Sequence, residues 1–540
     1  MIEKINEWER QISLSLAVLT VFAALLGYLQ MTASNLNSQY RAESSRYAVE
    51  AMRLRSTGEA RASFEAGHVL RLTELIAQQK ALAESREDVG TVEKLDVVAD
   101  ALTRLSPVLR EPYAALGDDA LARYESDAYV VDSVRAEQMR AAVTELDMAW
   151  DTKANTYVVH LTLIAIVLAL LGLSQAMADI PRVMVLVVSA VLTIVTFGWS
   201  ASTYAQPLPV LAPKAIDAFA TAYGAAYQNK QEDALKGYDD ALKQLPTYAS
   251  AHYERGLTLY TLGRNEEALQ SLAAARQNEY DAASVDAMES YLLMVLGRHA
   301  DAEASAQRWV TREPESRDAL GALLVAQAAR DQLDAVSATA KKLQESSAAA
   351  IAKQRADGAG VDDMIINELD VTADLLNDVL LASQGEEGIE ITNVKLSDAT
   401  AAGVRDIKHA LVSQAMSAAF DTDGTSKGTV SAIEFGTLGE NGEFVAAKAI
   451  DQNEKVVALQ LTTDGIAAGT HVLVRFYEDG FENQALRYVG EWDGEPTGTT
   501  MLVVPADLGE GYVLTPGAYQ IELYVNGVLQ LDRVPFEVEE

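Results

Sequence analysis

The chain has 540 residues, with 43 Lys and Arg against 78 Asp and Glu, a formal net charge of −35 and no cysteine. Such a length predicts several domains. The acidity excludes nucleic acid as a partner held by its phosphates, and the absence of thiols excludes disulfides, thiolate nucleophiles and Cys-ligated metals.

In chain order, residues 12–31 (ISLSLAVLTVFAALLGYLQM) form the first apolar run. It matches the roughly 20 residues that cross a bilayer. Lys4 and Arg10 precede it, as in a signal peptide, but its core is longer than about 7–15 residues and no small-x-small site follows before Ala33, so an uncleaved anchor is expected. Residues 34–86 lack proline and read as helix almost throughout, with weak points at Gly58 and Gly67. Further helices are expected over 92–105, ending at Ser106-Pro107, and over 118–153. Both ends of this insert must meet one membrane face, which favours a bundle of returning helices. It reads as a rigid spacer with a solvated surface. It is also a candidate surface for homo-oligomerisation, although heptads are not sustained.

Residues 157–177 and 183–199 are the second and third expected spans, joined by a hairpin over 178–182 that contains Pro181. Trp150, Tyr157, Trp199 and Tyr204 lie near their ends, where amphipathic rings prefer the headgroup layer. His160 lies about one turn inside the second span, where an interfacial role is expected. Lys4, Arg10 and Arg182 occupy the two short polar segments, and counting them assigns those segments to the cytoplasm. Residues 32–156 and 204–540 are then extracytoplasmic in a multi-pass protein of the cell membrane; the rival orientation places them in the cytoplasm.

Residues 204–214 are a stiff, Pro-rich linker expected to hold the C-terminal part of the chain away from the bilayer. Beyond it, Ala234, Ala268 and Ala302 recur every 34 residues, preceded by Asn229, Gly263 and Gly297 and followed by Pro246, Tyr280 and Pro314. Supporting marks are Ala222, Tyr238 and Ala241, then Gly256, Leu272 and Ala275, then Ser290. Small residues at these places let paired helices cross closely, Gly or Asn turns the chain, and Pro ends the second helix. The pattern resembles the tetratricopeptide repeat, specifically over 215–314 and more weakly to 346, where residues 320–344 are a degenerate fourth unit. The resemblance implies an α-solenoid whose first helices line a groove for a protein or peptide partner. Carried over by position, that face presents Phe219, Tyr223, Tyr227, Tyr253, Tyr260, Tyr291 and Met294. It lacks the basic set of the family's carboxylate-clamping variant, since Arg255 stands alone. Residues 362–383 read as a capping helix, and the connector 347–428 also holds a strand-like piece, 389–396 (IEITNVKL), and a helix beginning at Ser397-Asp398.

From residue 429 the period becomes alternating. Strands are expected over 429–436, 443–448, 455–463, 470–478, 485–492, 499–504, 517–525 and 528–538, with Asn526-Gly527 as a type I′ hairpin. LTPGAYQIELYVNGVLQLDRVPFEV, together with RFYEDG and GEW, resembles the immunoglobulin-like modules of bacterial envelope proteins, which implies an antiparallel β-sandwich. Among chemical motifs, the six histidines have no metal spacing, and no Walker, GxSxG or dinucleotide glycine pattern occurs. Asp421-Thr-Asp423-Gly424 starts like a calcium loop, but Ser426 and Ala432 stand where Gly and Glu are needed, so a turn is expected. No catalytic residue, cofactor or metal is therefore expected. The sequence reads as a multidomain, membrane-anchored, non-enzymatic scaffold that binds protein partners. The alternative is an accessory subunit of a transport, secretion or signalling complex with its repeats in the cytoplasm.

Overall fold

The computed structural model describes residues 2–86, 88–177, 179–358, 360–386, 389–422, 428–439, 441–505 and 514–539, with the side chains of 2–8, 117–118 and 179–180 left out. It is mostly helical with a C-terminal sheet domain, and it divides into two compact units, Met1–Asn278 and Glu279–Glu540.

In the first unit, α1 (Ile2–Phe64) continues through a π-helical turn, Glu65–Leu70, into α2 (Arg71–Ser85). Gly67, one expected weak point, falls inside that π turn, where the ladder widens by one residue. The other, Gly58, stays helical because Tyr129 packs on it: a Cβ there would lie 2.2 Å from the Tyr129 ring. The N-terminus of α3 (Val89–Leu105) is capped by Asp88, which accepts from the Thr91 amide. The returning helix expected over 118–153 begins instead as α4 (Ala120–Glu125), passes a second π turn, Ser126–Val130, and becomes α5 (Val131–Ser174). After the hairpin, whose Ala178 lies outside the described residues, α6 (Asp179–Ala205) follows. Arg182 donates to the Ser174 and Gln175 carbonyls and so satisfies the end of α5.

Three helical stretches, within α1, α5 and α6, are long and apolar enough to cross a membrane. Leu26, Ile164 and Val167 are fully buried where they pack, and the Phe22 and Phe197 rings lie 4.9 Å apart. Leu14, Val18, Val21 and Ile194 point outward and remain exposed, the pattern that suits a hydrocarbon solvent.

Residues 206–212 have no regular secondary structure. Helix α7 (Pro213–Tyr227) packs directly on α5, with α8 (Gln231–Gln244), α9 (Ala249–Thr261) and α10 (Asn265–Gln277) following. Helix α7 is short and amphipathic, and α5 covers part of its apolar face.

The second unit continues with α11 (Ala282–Val295), α12 (His299–Arg312), α13 (Arg317–Ala329), α14 (Leu333–Ala356), α15 (Asp363–Gln384) and α16 (Asp398–Ala419). Along the chain, Asn229, Gly263, Gly297 and Asp331 take left-handed φ of 57°, 72°, 68° and 59°. After each, the next residue's amide reaches back five positions: Lys230 to Ala225, Arg264 to Leu259, Arg298 to Leu293 and Gln332 to Gln327. This is the Schellman arrangement, repeated at intervals of 34 residues. The fourth instance, at Asp331, extends the period to α13 and α14, where the sequence pattern had degenerated.

Segment 389–396 is not a strand. Asn393 adopts φ 61°, and Thr392 donates to the Val295 carbonyl at 3.0 Å. Its alternating Ile389 and Ile391 imitate a strand, but a left-handed residue breaks the pleat.

The sheet domain contains β1 (Thr429–Leu438), β2 (Phe444–Ala446), β3 (Ala449–Asp451), β4 (Val456–Asp464), β5 (His471–Glu478), β6 (Phe481–Glu482), β7 (Tyr488–Glu491), β8 (Gly498–Pro505), β9 (Gly517–Val525) and β10 (Val528–Glu539). One sheet runs β2-β1-β4-β8 and the other β3-β10-β9-β5-β6, with β7 also on β5. The sheets are open, and one pair departs from the antiparallel expectation: β3 lies parallel to β10, with Ala449 opposite Glu537. The core between the sheets holds Val457, Leu459 and Leu461 against Val472, Val474, Phe476, Ile521 and Leu523. Asn526 and Gly527 both have positive φ (48° and 81°), as a type I′ turn requires. Residues 423–427, including Asp423 and Gly424 of the calcium-like turn, lie outside the described residues.

Candidate functional site: a tyrosine-rich helical face and a buried ionic junction

In the first unit, Phe219 is 2 % exposed and packs against the rings of Tyr238 at 5.5 Å and Tyr248 at 5.2 Å. Val134 of α5 and the half-buried Tyr223 both pack against the cluster that holds Phe219 and Tyr238. The Tyr227 hydroxyl donates to Glu125 at 2.5 Å, and Gln228 donates to the Ser126 hydroxyl at 2.7 Å. The Ser126 hydroxyl in turn donates to the Gly224 carbonyl at 3.0 Å, and the Tyr248 hydroxyl donates to Gln138 at 2.9 Å. Approach is close because Gly224 lacks a side chain: a Cβ would lie 2.4 Å from Val131. The face that Phe219, Tyr223 and Tyr227 were expected to offer a partner is thus met by the chain's own α5 and the π turn before it.

Tyr253 and Tyr260 lie on α9, both half-buried, on one helical face with the buried Gly256 between them. In the second unit, Tyr291 is half-buried and its hydroxyl donates to Glu390, whereas Met294 is 3 % exposed and belongs to the helix-pair core.

Beside the tyrosines sits a residue that sequence reasoning passed over. The half-buried carboxylate of Glu254 has no hydrogen-bond donor or ion-pair partner among the described residues, and burial pushes its pKa up to about 7. The Tyr238 hydroxyl, on a fully buried side chain, likewise has no partner among the described residues.

The second unit buries charge differently. In β5, Val472, Val474 and Phe476 enter the inter-sheet core, so Arg475 and Tyr477 emerge on the opposite face; in β9 the same alternation places Glu522 and Tyr524 there. Helices α15 and α16 cover this face. Arg475, 1 % exposed, bonds Asp374 at 2.5 Å and also Glu482. Arg487 reaches Glu482 at 2.6 Å and Asp370 at 2.5 Å. Glu522 accepts from Lys408, from Arg533 at 3.1 Å and from the hydroxyls of Tyr477 at 2.8 Å and Tyr524 at 3.0 Å. The Arg533 guanidinium lies 3.5 Å over the Tyr477 ring, aimed there by a bulge in β10 at which Arg533 takes φ 51°.

Burial alone would raise the Glu522 pKa, but His409, Lys408 and Arg533 reverse this and hold it well below the usual range. Burial lowers Lys408 to about 8, with Glu522 opposing, and raises Asp374 to about 7, with Arg475 opposing. His409, Glu522 and Asp532 offer ligand atoms within 4.8 Å of one another. With four donors already on Glu522, this trio reads as part of the ion-pair network and not as a metal centre. A cleft of about 850 Å³ opens beside the junction, lined by Asn377, Leu381, Lys408, Gly480, Gln520 and Arg533.

The signal for the junction was present in the sequence: Arg475-Phe-Tyr477 and Glu522-Leu-Tyr524 put charge and aromatic rings together on one strand face. No protein-family model and no curated protein matches the chain.

Proposed function

We propose that the chain is a membrane-anchored, non-enzymatic scaffold. Three membrane helices and the helical insert fix it at the bilayer, a tetratricopeptide-type solenoid presents a groove, and an immunoglobulin-like sandwich supplies a second binding surface. The observation that carries this reading is the fourfold recurrence of one backbone turn, from Asn229 to Asp331, at the 34-residue spacing. Helix pairs of that kind bury their apolar faces on neighbouring pairs and can offer a side to another polypeptide. The sandwich reading is supported by two open sheets over a shared core.

Non-enzymatic action is supported by how charge is used: the deeply buried ionic groups of the second unit bond one another and so serve packing. Part of the groove face clamps α5, which ties the repeats to the membrane helices, and α9 with Tyr253 and Tyr260 offers what remains. Partner recovery in co-purification with the full chain tests this. Tyr253→Ala with Tyr260→Ala should lose the partner, and undiminished recovery would remove the groove from the account. The extracytoplasmic placement of residues 204–540 predicts their digestion by protease added to intact cells.

One observation favours the alternative of an accessory subunit. A groove of about 410 Å³ between α1 and α6, lined by Leu14, Val18, Leu186, Ala190 and Thr193, would accept a membrane helix of another protein. A stoichiometric membrane partner retained in mild detergent would decide for it.

A further inference from the structure

The cleft beside the ionic junction of the second unit is lined by elements of unlike charge. The end of α15, the middle of α16, the β5–β6 turn and the bulge of β10 surround it. Its volume of about 850 Å³ falls within the roughly 300–1,000 Å³ of small-molecule pockets. The lining passes from exposed Glu386, Arg405 and Asp479 to buried Leu380, Leu381 and Lys408, so the site opens to solvent. Several of its polar groups are already bonded. Arg533 donates to Glu522, Gln520 and Asn377, and Asn377 donates to the Gly480 carbonyl at 3.1 Å. Asp532 lies 3.5 Å from His409. Others keep unused capacity. Arg405 precedes Lys408 by one turn on the same side of α16 and has no partner among the described residues. Lys408 donates to Glu522 alone among the described residues, so two of an ammonium's three N–H groups remain. The side chains of Glu386 and Asp479, on the other elements of the lining, have no partner among the described residues. Glu386 directly follows the C-terminus of α15, whose last carbonyls add negative charge there.

We propose that this cleft binds a small zwitterion with a free ammonium and a free carboxylate, as an amino acid or a short unblocked peptide has. Arg405 and Lys408 on α16 take the carboxylate, and Glu386 and Asp479 take the ammonium. The lining decides the class. A simple anion would be opposed by the two acids and a simple cation by the two bases, whereas a zwitterion meets each set with the opposite charge. Both ends then form charge-assisted hydrogen bonds. Leu380, Leu381 and Phe481 offer apolar surface to a side chain between those ends. The site is separate from the helical groove and does not depend on it.

The test titrates the full chain in detergent micelles with leucine and with the tripeptide Ala-Leu-Ala. The tighter of the two identifies the source of the zwitterion. That ligand is then compared with its N-acetylated and its C-amidated forms. Either block should weaken binding roughly tenfold, as loss of a charged hydrogen bond implies. Arg405→Gln should remove most of the cost of amidation, and Asp479→Asn should reduce the cost of acetylation. Lys341→Gln, which changes an exposed lysine on α14, should alter neither and so exclude net charge as the cause. Lys408 is left in place because it also holds the junction together. The three substituted side chains are exposed, and unchanged thermal unfolding of each variant establishes that it is folded. The proposal is overturned if neither ligand binds saturably, if the free and amidated forms bind equally, or if the cost of amidation survives Arg405→Gln. A cost of amidation without one of acetylation also overturns it, since the acids of the lining would then take no part.

Discussion

At the helix–sheet junction of the second unit, Arg475, Arg487, Lys408 and Arg533 each meet a carboxylate, whereas Glu254 in the first unit meets no cation among the described residues. The contrast separates two uses of buried charge. A paired network fixes two layers in one arrangement, because slipping either layer would strand an ion in a poor solvent. A carboxylate perturbed by burial alone fixes nothing within the chain, and instead makes stability depend on pH.

The largest effect that would break this comparison lies in the network. Arg475→Met leaves Asp374 and Glu482 facing each other without their shared cation, and removal of one partner from a buried pair costs about 3–5 kcal/mol. The thermal unfolding midpoint should fall and hydrogen exchange in β5 should rise, while the double variant with Glu482→Gln recovers part of the loss. A loss below about 1 kcal/mol, the range of surface ion pairs, would mean that the junction does not hold the layers together.

A smaller effect is expected where the first unit is joined by close packing and not by charge. Gly224→Ala brings a Cβ to 2.4 Å from Val131 and 2.8 Å from the Ser126 hydroxyl. Overpacking of this kind costs about 1–3 kcal/mol. Protease cleavage within residues 206–212 should accelerate as α7 parts from α5, and an unchanged rate would contradict the docking of these helices.

Glu254→Gln sharpens the comparison through pH. Burial holds the Glu254 pKa near 7 in the folded chain, above its ordinary value, so the folded state keeps its proton where the unfolded state has lost it. Stability therefore falls as pH rises from the ordinary carboxylate range to about 7. The glutamine variant should match the parent at about pH 4 and exceed its unfolding midpoint at about pH 8. The opposite ordering at the higher pH would show that a cation of the chain already compensates Glu254.

Much of the fold was legible because its signals are one-dimensional. The apolar runs within α1, α5 and α6, the 34-residue period and the strand alternation from residue 429 depend on spacing along the chain. What escaped depends on partners remote in sequence. Arg475 and Asp374 are 101 residues apart and Tyr227 and Glu125 are 102 apart, and no local pattern joins them. Strands β3 and β6 span three and two residues, too short to show alternation. Segment 389–396 misled for the converse reason: its Ile389 and Ile391 alternate, but the side chains of Glu390 and Thr392 bind α11 and pull the backbone away from a ladder. Glu254 was invisible because a single glutamate beside a tyrosine on a helix has no distinguishing spacing.

The mildest perturbation addresses the repeating turn itself, and two glycines one period apart make it informative. Gly263 has φ 72° and open space where a Cβ would go, whereas at Gly297, with φ 68°, a Cβ would come within 2.4 Å of the Asn393 side chain. Alanine at Gly263 should therefore cost only the left-handed backbone strain, about 1–2 kcal/mol. Alanine at Gly297 should cost that strain and also displace residues 390–397 from the α11–α12 turn, exposing the Thr392 bond to the Val295 carbonyl to solvent exchange. Aspartate already tolerates the same backbone geometry at Asp331, so Gly297→Asp or Gly297→Asn would present the clash with less backbone strain. If the two alanine variants unfold at the same midpoint, segment 390–397 contributes nothing to the turn it lies on. A deeper loss at Gly297 would establish that this part of the helical array already holds an extended stretch of its own chain.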